Sequence, residues 1–288
     1  MVTFCIAIIG FVIGSEWIVR TQVAPKSKFD ALRERLYTSQ AAYGGFADSR
    51  GANGLRARPG FENFSMAGDN LITIVEKARF FARSKTAKGL VLQADPHHFS
   101  SYRLNRDQSQ LRADLFSRST AGLQFLRPVY RQYLLSYWQA FLEQSLFPPS
   151  AKPPRQTTIP RFSDLSPEAA TTAASIRTGL QTPIKAIAQT SFSQAYESTV
   201  RDLKQSGIQV CMVTFPVSAP YRKIAMAEPA YGAALEYYKT VAKRSAVQYV
   251  NLTAAFPDRL FADPDHLNSE GAKVLTDRLL NSCFGLTP

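Results

Sequence analysis

Histidine is scarce in this chain: His97, His98 and His266 are the only three in 288 residues. Imidazole is the one side chain whose ordinary pKa lies near neutrality, so a general base is sought first among these three. Cysteine is as sparse. Cys5, Cys211 and Cys283 form no CxxC pair, which argues against a structural zinc site or a thioredoxin-type motif. A Cys211–Cys283 bridge, which would need an oxidising compartment, and two buried free thiols both remain open. No helix-turn-helix, zinc-finger or RNA-binding signature is present, and the basic residues are scattered rather than run together. Nucleic acid is therefore not an expected partner, no cofactor is expected, and no internal repeat is visible. His97 and His98 lack further evident ligands nearby, so no metal site is expected.

What the chain does carry is positive charge, +12 at pH 7, which suits lipid headgroups or an anionic polymer. Hydrophobic residues make up 45% of it, enough for a globular core. From Val2 to Val19 the sequence is almost wholly apolar, broken by Ser15 and Glu16. As a helix it would be about 27 Å long, near the thickness of a bilayer core. It lacks a basic leader and a small-x-small cleavage site. The expectation is an uncleaved transmembrane anchor over 1–20, then a short charged juxtamembrane helix over 21–40. The positive-inside rule, applied to Arg20, Lys26, Lys28, Arg33 and Arg35, would by itself put the following domain in the cytoplasm.

Residues 41–288 read as an α/β domain. Short strands are expected at Ala41–Ala47, Phe61–Met66, Gly89–Ala94, Ile208–Val217 and Val247–Leu252. The apolar run GLVLQA fits a buried parallel strand. Leu71, Ile74, Val75, Ala78 and Phe81 recur at helical spacing after Asp69-Asn70, either of which could cap that helix. A last helix is expected from Ser269 to Ser282, and another over Pro183–Gln205. Alternating strands and helices predict a parallel, doubly wound sheet with its site at the strand C-termini. Residues 100–183 are too long for one crossover and read as an insertion. It contains an aromatic helix (Tyr130, Tyr133, Leu134, Tyr137, Trp138, Phe141) and a Pro-rich linker over Phe147–Pro160. That insertion is either a lid, a membrane-resting helix or a partner surface, or a helix packed on the sheet.

His266 stands in Asp263-Pro264-Asp265-His266-Leu267-Asn268, just before the terminal helix. An aspartate three residues before a histidine on a turn can fix the ring tautomer and stabilise the imidazolium. Ser49 follows a short strand and precedes Gly51 and Gly54, where a turn would present its hydroxyl. A serine hydroxyl needs such a base to become a nucleophile. The backbone N–H groups of Ser49 and Gly68 are the candidate oxyanion donors. Arg50, Asn70, His97 and His98 are the candidates for contacting substrate.

These motifs bear a family resemblance. Ala47-Asp48-Ser49-Arg50 resembles the first block of the SGNH (GDSL-like) hydrolases, Asn63–Gly68 the second, and Asp263–Asn268 followed by Gly271 the last. The resemblance covers about Ala41 to Leu280, outside the insertion. It implies a three-layer α/β/α fold with a parallel sheet and a Ser49–His266–Asp263 triad. Two departures stand out: Phe46-Ala47 replaces the usual glycine of the first block, and no Gly-x-Asn third block is evident where Asp95-Pro96-His97-His98 stands. The expected layout is also similar to that of envelope-modifying members, such as the D-alanyl transfer protein of teichoic acid modification and the alginate O-acetylation proteins. That likeness implies an extracytoplasmic domain, periplasmic or at the cell surface. It implies a membrane-bound O-acyltransferase partner, and a serine O-acyltransferase or esterase acting on an envelope polymer or glycan through an acyl-serine. The alternatives are a non-catalytic accessory protein and a lipid esterase or thioesterase.

Overall fold

The computed structural model describes residues 2–24, 27–117, 123–146 and 162–286, with backbone alone for 2–7, 128, 131–133, 141 and 143–146. Along the chain, α1 (Val2–Ile18) is followed by α2 (Lys28–Thr38), β1 (Tyr43–Phe46), α3 (Ser49–Gly54), β2 (Phe61–Asn63), α4 (Leu71–Phe81) and β3 (Gly89–Gln93). Then come α5 (Ser101–Leu104), α6 (Ser109–Phe116), α7 (Pro128–Leu146), α8 (Pro167–Gln181) and α9 (Ser191–Gln205). The chain closes with β4 (Gln209–Thr214), α10 (Ala219–Ala227), α11 (Pro229–Ser245), β5 (Gln248–Asn251) and α12 (Ser269–Phe284). Two compact units result: Met1–Tyr37 with Asp107–Thr158, and Thr38–Arg106 with Ile159–Pro288.

In the larger unit the five strands form one parallel sheet in the order β2-β1-β3-β4-β5. Gly45 of β1 lies beside Asn63 of β2 on one side and Val91 of β3 on the other. The period of two along each strand sends alternate side chains to opposite faces. Val91, Cys211 and Val213 pack with Leu275 and Leu279 of α12 on one face. Phe46 turns the other way and meets Phe64 and Phe81 of α4, with ring centroids 5.2 and 5.4 Å apart. Helices therefore cover both faces, which is why β3 is buried along its whole length. A Cys211–Cys283 disulfide joins β4 to α12, so of the two readings the sequence left open, the bridge is the one formed.

The helices that frame the site begin where the sequence supplies caps. Asn70 accepts the Thr73 N–H at 3.0 Å and starts α4, and Asn268 accepts the Gly271 N–H at 3.0 Å and starts α12. At Gly271 any Cβ would stand 2.4 Å from the Leu260 carbonyl oxygen, so only glycine lets this helix dock so closely. The expected helix over 183–205 is shorter in fact. Pro183 forms an isolated bridge with Ser100, and α9 begins only at Ser191, capped by Thr190.

The smaller unit overturns the expected transmembrane anchor. Among the described residues no helix is long and apolar enough to cross a membrane, so placement by a single N-terminal membrane helix is withdrawn. The 17 residues of α1 rise about 25 Å at 1.5 Å each, short of the roughly 30 Å hydrocarbon core. Beyond Ile18 the helix widens into a π-turn carrying Arg20. Its end is used inside the unit: Ile18 and Val19 are buried against Tyr130 and Leu134 of α7, Phe11 stacks on Trp138, and Glu16 accepts the Phe125 N–H at 3.1 Å. The segment expected to be juxtamembrane does contain a helix, α2, whose Asp30 accepts the Tyr130 hydroxyl at 2.7 Å. The insertion is split between the two units: its described residues 107–117 and 123–146 belong with the N-terminal helices, while α8 belongs with the sheet. The Pro-rich linker, and the side chains of Tyr133 and Phe141, lie outside the described residues.

Candidate active site

In the strand order β2-β1-β3-β4-β5 the direction of winding reverses between β1 and β3. The loops after these two strands therefore diverge and leave an opening at their C-terminal ends. Ser49 leaves β1 there as the first residue of α3. Asp48 caps that helix, accepting the Arg50 N–H at 3.0 Å. Gly51 allows the turn: a Cβ at that position would lie 2.3 Å from the Ala47 Cβ and 2.5 Å from the Ser65 Oγ.

His266 is brought to Ser49 from 217 residues away, its Nε2 2.8 Å from the serine Oγ. Its Nδ1 lies 2.8 Å from Asp263 Oδ2 and 3.0 Å from Oδ1. A carboxylate can only accept, so Nδ1 carries the proton and donates it to Asp263, and Nε2 is left to accept the Ser49 hydroxyl. Asp263 Oδ1 also accepts the backbone N–H groups of Asp265 and His266, at 3.0 and 2.9 Å, which fixes the turn. Burial pulls the His266 pKa down, but the Asp263 hydrogen bond and the charges of Asp265 and Asp263 outweigh it, so the pKa is raised above the ordinary 6.5. The ring stays reachable, 13% exposed, beside an Asp263 side chain that is 48% exposed.

Gly68 lies just beyond β2, with φ +90°, a region glycine enters without strain. Met66 N–H donates to Ala47 O at 3.2 Å, so Ser49 and Gly68 each stand two residues past the last bond between adjacent chain segments. As the first residue of α3, Ser49 has no carbonyl partner for its N–H within the helix.

The four residues expected to contact substrate are placed otherwise. Arg50 is only 2% exposed; its guanidinium pairs with Asp265 and Asp95, both at 3.3 Å, and donates to Gln181 Oε1 at 2.9 Å. Asn70 is buried with its oxygen spent on Thr73 and its amide donated to the Arg106 carbonyl at 3.1 Å. His97 and His98 are fully buried. His98 stacks on His97, with ring centroids 4.5 Å apart, and for Arg50 and His97 the physical reason is one network through Asp48, Gln93 and Asp95. Asp48 Oδ2 takes a hydrogen bond from His97 Nε2 at 2.8 Å and from Arg103 at 2.6 Å, and Oδ1 takes one from Gln93 Nε2 at 3.0 Å. Although burial pushes the other way, His97 and Arg103 together hold the Asp48 pKa well below its ordinary value. Burial drives His97 down to about 4 and His98 well below its usual range, so both rings are neutral. Asp95, buried beside Gln93 and Arg50, is raised to about 6, chiefly by desolvation.

Asp48, His97 and His98 place ligand-type atoms within 4.8 Å of one another. The guanidinium of Arg103 on Asp48 disfavours a cation there. Sequence reading overlooked Asp265, Arg177 and Gln181. Arg177 and Gln181 of α8 donate to the Asp265 carboxylate, at 2.8 and 2.9 Å. Asp265 had a signal, since it adjoins His266; Arg177 and Gln181, inside the insertion, had none.

The arrangement can deprotonate a serine hydroxyl in a site open to solvent on the Asp263 side. No protein-family model and no curated protein matches this chain.

Proposed function

We propose that this protein is a serine esterase or O-acyltransferase of SGNH type, working through an acyl-serine on Ser49. One observation carries the reading: the continuous hydrogen-bonded line Ser49 Oγ–His266 Nε2, His266 Nδ1–Asp263, with links of 2.8 Å. In this reading His266 takes the hydroxyl proton as Oγ attacks the ester carbonyl. The N–H groups of Ser49 and Gly68 receive the developing oxyanion. The intermediate collapses, the ester C–O bond breaks, and His266 returns the proton to the leaving alcohol. Water or a sugar hydroxyl, deprotonated by His266, then attacks the acyl-serine and releases Ser49. The parallel sheet with helices on both faces supports the three-layer α/β/α architecture that the resemblance implies.

The substrate class we propose is an acylated envelope polymer or glycan, with a membrane-bound O-acyltransferase as partner. The +12 charge favours an anionic polymer, and the Cys211–Cys283 bond fits an oxidising compartment. A second reading, an accessory binding protein on the same fold, is favoured by the burial of His97 and His98. That burial leaves the loop after β3 without a side-chain oxyanion donor in those rings.

Turnover of p-nitrophenyl acetate by wild type and Ser49→Ala separates the two. The enzyme reading expects a loss of about 10³-fold or more with an unchanged melting temperature. A folded, fully active Ser49→Ala variant would end it. A panel of acyl-chain lengths then separates glycan from lipid esters: strong preference for long chains would favour the lipid esterase.

A further inference from the structure

His266 faces two carboxylates, and only Asp263 accepts its Nδ1–H hydrogen bond. Asp265 Oδ1 lies 3.5 Å from the same Nδ1, beyond a good hydrogen bond. Its oxygens are occupied: Oδ2 by the Arg50 guanidinium at 3.3 Å and by Gln181 Nε2 at 2.9 Å, Oδ1 by Arg177 Nε at 2.8 Å. Three chain segments therefore meet on one buried carboxylate. Arg50 is the residue next to the nucleophile, Asp265 the residue next to the base, and Arg177 and Gln181 come from α8. Tyr221 of α10 completes the cluster, donating to Gln181 Oε1 at 2.6 Å.

We infer that Asp265 is a positioning residue of the serine site, clamping the turn that carries Ser49 to the turn that carries His266, with Arg177 of α8 as the tunable end of the clamp. The inference rests on the acyl-serine reading for its catalytic meaning, but the clamp itself can be measured without it. Three features carry it. Arg50 and Asp265 are both sequestered from water, so their attraction is weakly screened and the two turns cannot slide apart without leaving a buried charge unpaired. Asp265 supports the imidazolium that forms when His266 takes the serine proton, and does so from a drier position than the half-exposed Asp263. Arg177 is 34% exposed, so it is the one member that can be changed without opening the interior.

The charged groups facing His266 are Asp263 and Asp265 on its own turn and Arg177 on α8. Arg50 of α3 and Tyr221 of α10 face Asp265 behind it, and Asp95 faces Arg50. The two carboxylates raise the His266 pKa and Arg177 lowers it. Removing Asp265 and removing Arg177 must therefore move the ring in opposite directions, a signature that simple loosening of the fold would not give.

The experiment uses the full chain. With only three histidines, proton NMR resolves the His266 ring, assigned by its loss in His266→Gln, and follows its titration in wild type, Asp265→Asn and Arg177→Gln. Labelling of Ser49 by a fluorophosphonate probe is timed across the same pH range, with Ser49→Ala as control. Expected in Asp265→Asn are a ring titration shifted to lower pH by on the order of one unit and labelling slowed at least about tenfold on its high-pH plateau. Expected in Arg177→Gln is a smaller shift to higher pH. Ring titrations that coincide with wild type in every folded variant, or that shift in the same direction, would overturn the clamp. If Asp265→Asn does not fold, the sign of the Arg177→Gln shift decides. Unchanged labelling of Ser49→Ala sinks the acyl-serine reading instead, and leaves the ring titrations to judge the clamp.

Discussion

His266 and His97 each hold a ring nitrogen 2.8 Å from an aspartate oxygen, yet their surroundings give them opposite properties. His266 keeps one edge toward solvent, and its second nitrogen meets a serine hydroxyl; carboxylates on two sides raise its pKa. His97 is sealed, its Asp48 partner is shared with Arg103, and burial with the neighbouring arginines lowers it to about 4. An Asp–His pair is therefore not a catalytic unit by geometry alone. What decides is whether the free ring nitrogen reaches a proton to move and whether the ring can carry charge once it has moved.

The comparison is broken most sharply by exchanging the histidines one at a time. His266→Ala should lower ester turnover by about 10³-fold or more. His97→Gln, once shown to be folded, should retain most of it. Equal losses in both, measured as kcat/KM on p-nitrophenyl acetate, would contradict this division of roles between His266 and His97.

Stability should divide the other way. Asp48→Asn leaves Arg103 and His97 facing a neutral group in a dry interior, and breaking such a buried pair costs about 3–5 kcal/mol. Ser49→Ala removes a hydroxyl at the solvent edge and should cost under about 1 kcal/mol. Urea denaturation midpoints of the two variants test this directly; similar midpoints would mean the Asp48 network is structurally dispensable.

The smallest and most diagnostic effect is in pH. His266 must be neutral to act as a base, so kcat/KM should rise along an acid limb centred above pH 6.5. For stability the signs differ. The raised His266 contributes stability that is fully present below pH 6.5 and lost as pH climbs through its folded pKa. The depressed His97 contributes stability that is fully present above 6.5 and lost as pH falls toward about 4. Asp95, raised to about 6, opposes His97 in that window, since its protonated form is the favoured one in the fold. The readout is therefore the difference between wild type and His97→Gln, whose stability should fall less steeply from pH 6.5 to 4.

Much of this molecule is written locally and can be read so. The strands at 43–46, 89–93 and 209–214, and the helices starting at Leu71 and Ser269, follow from short-range pattern and caps. Asp263 and His266 are three residues apart and can only meet on a tight turn, so their pairing was legible as well. Arg50, Asn70, His97 and His98 were misjudged for one reason. Polar side chains on loops near a nucleophile look available for substrate, and whether they are depends on distant partners: Asp265, 215 residues from Arg50; Arg106, 36 from Asn70; and Asp48, 49 from His97. The N-terminal run was misjudged similarly: its apolar residues read as a membrane span, but the helix they form is not long and apolar enough to cross one, and its C-terminal end is spent on α7.

By itself the sequence determined the α/β alternation, the helix caps, and the Asp263–His266 turn, because each depends on residues within a few positions of one another. Only the tertiary structure decided that Ser49 lies within reach of that turn, that a disulfide closes on α12, and that Arg50 and His97 are buried rather than offered to a ligand. Burial and long-range pairing are properties of the packed whole, and a polar residue's chemistry follows from what surrounds it more than from what precedes it in the chain.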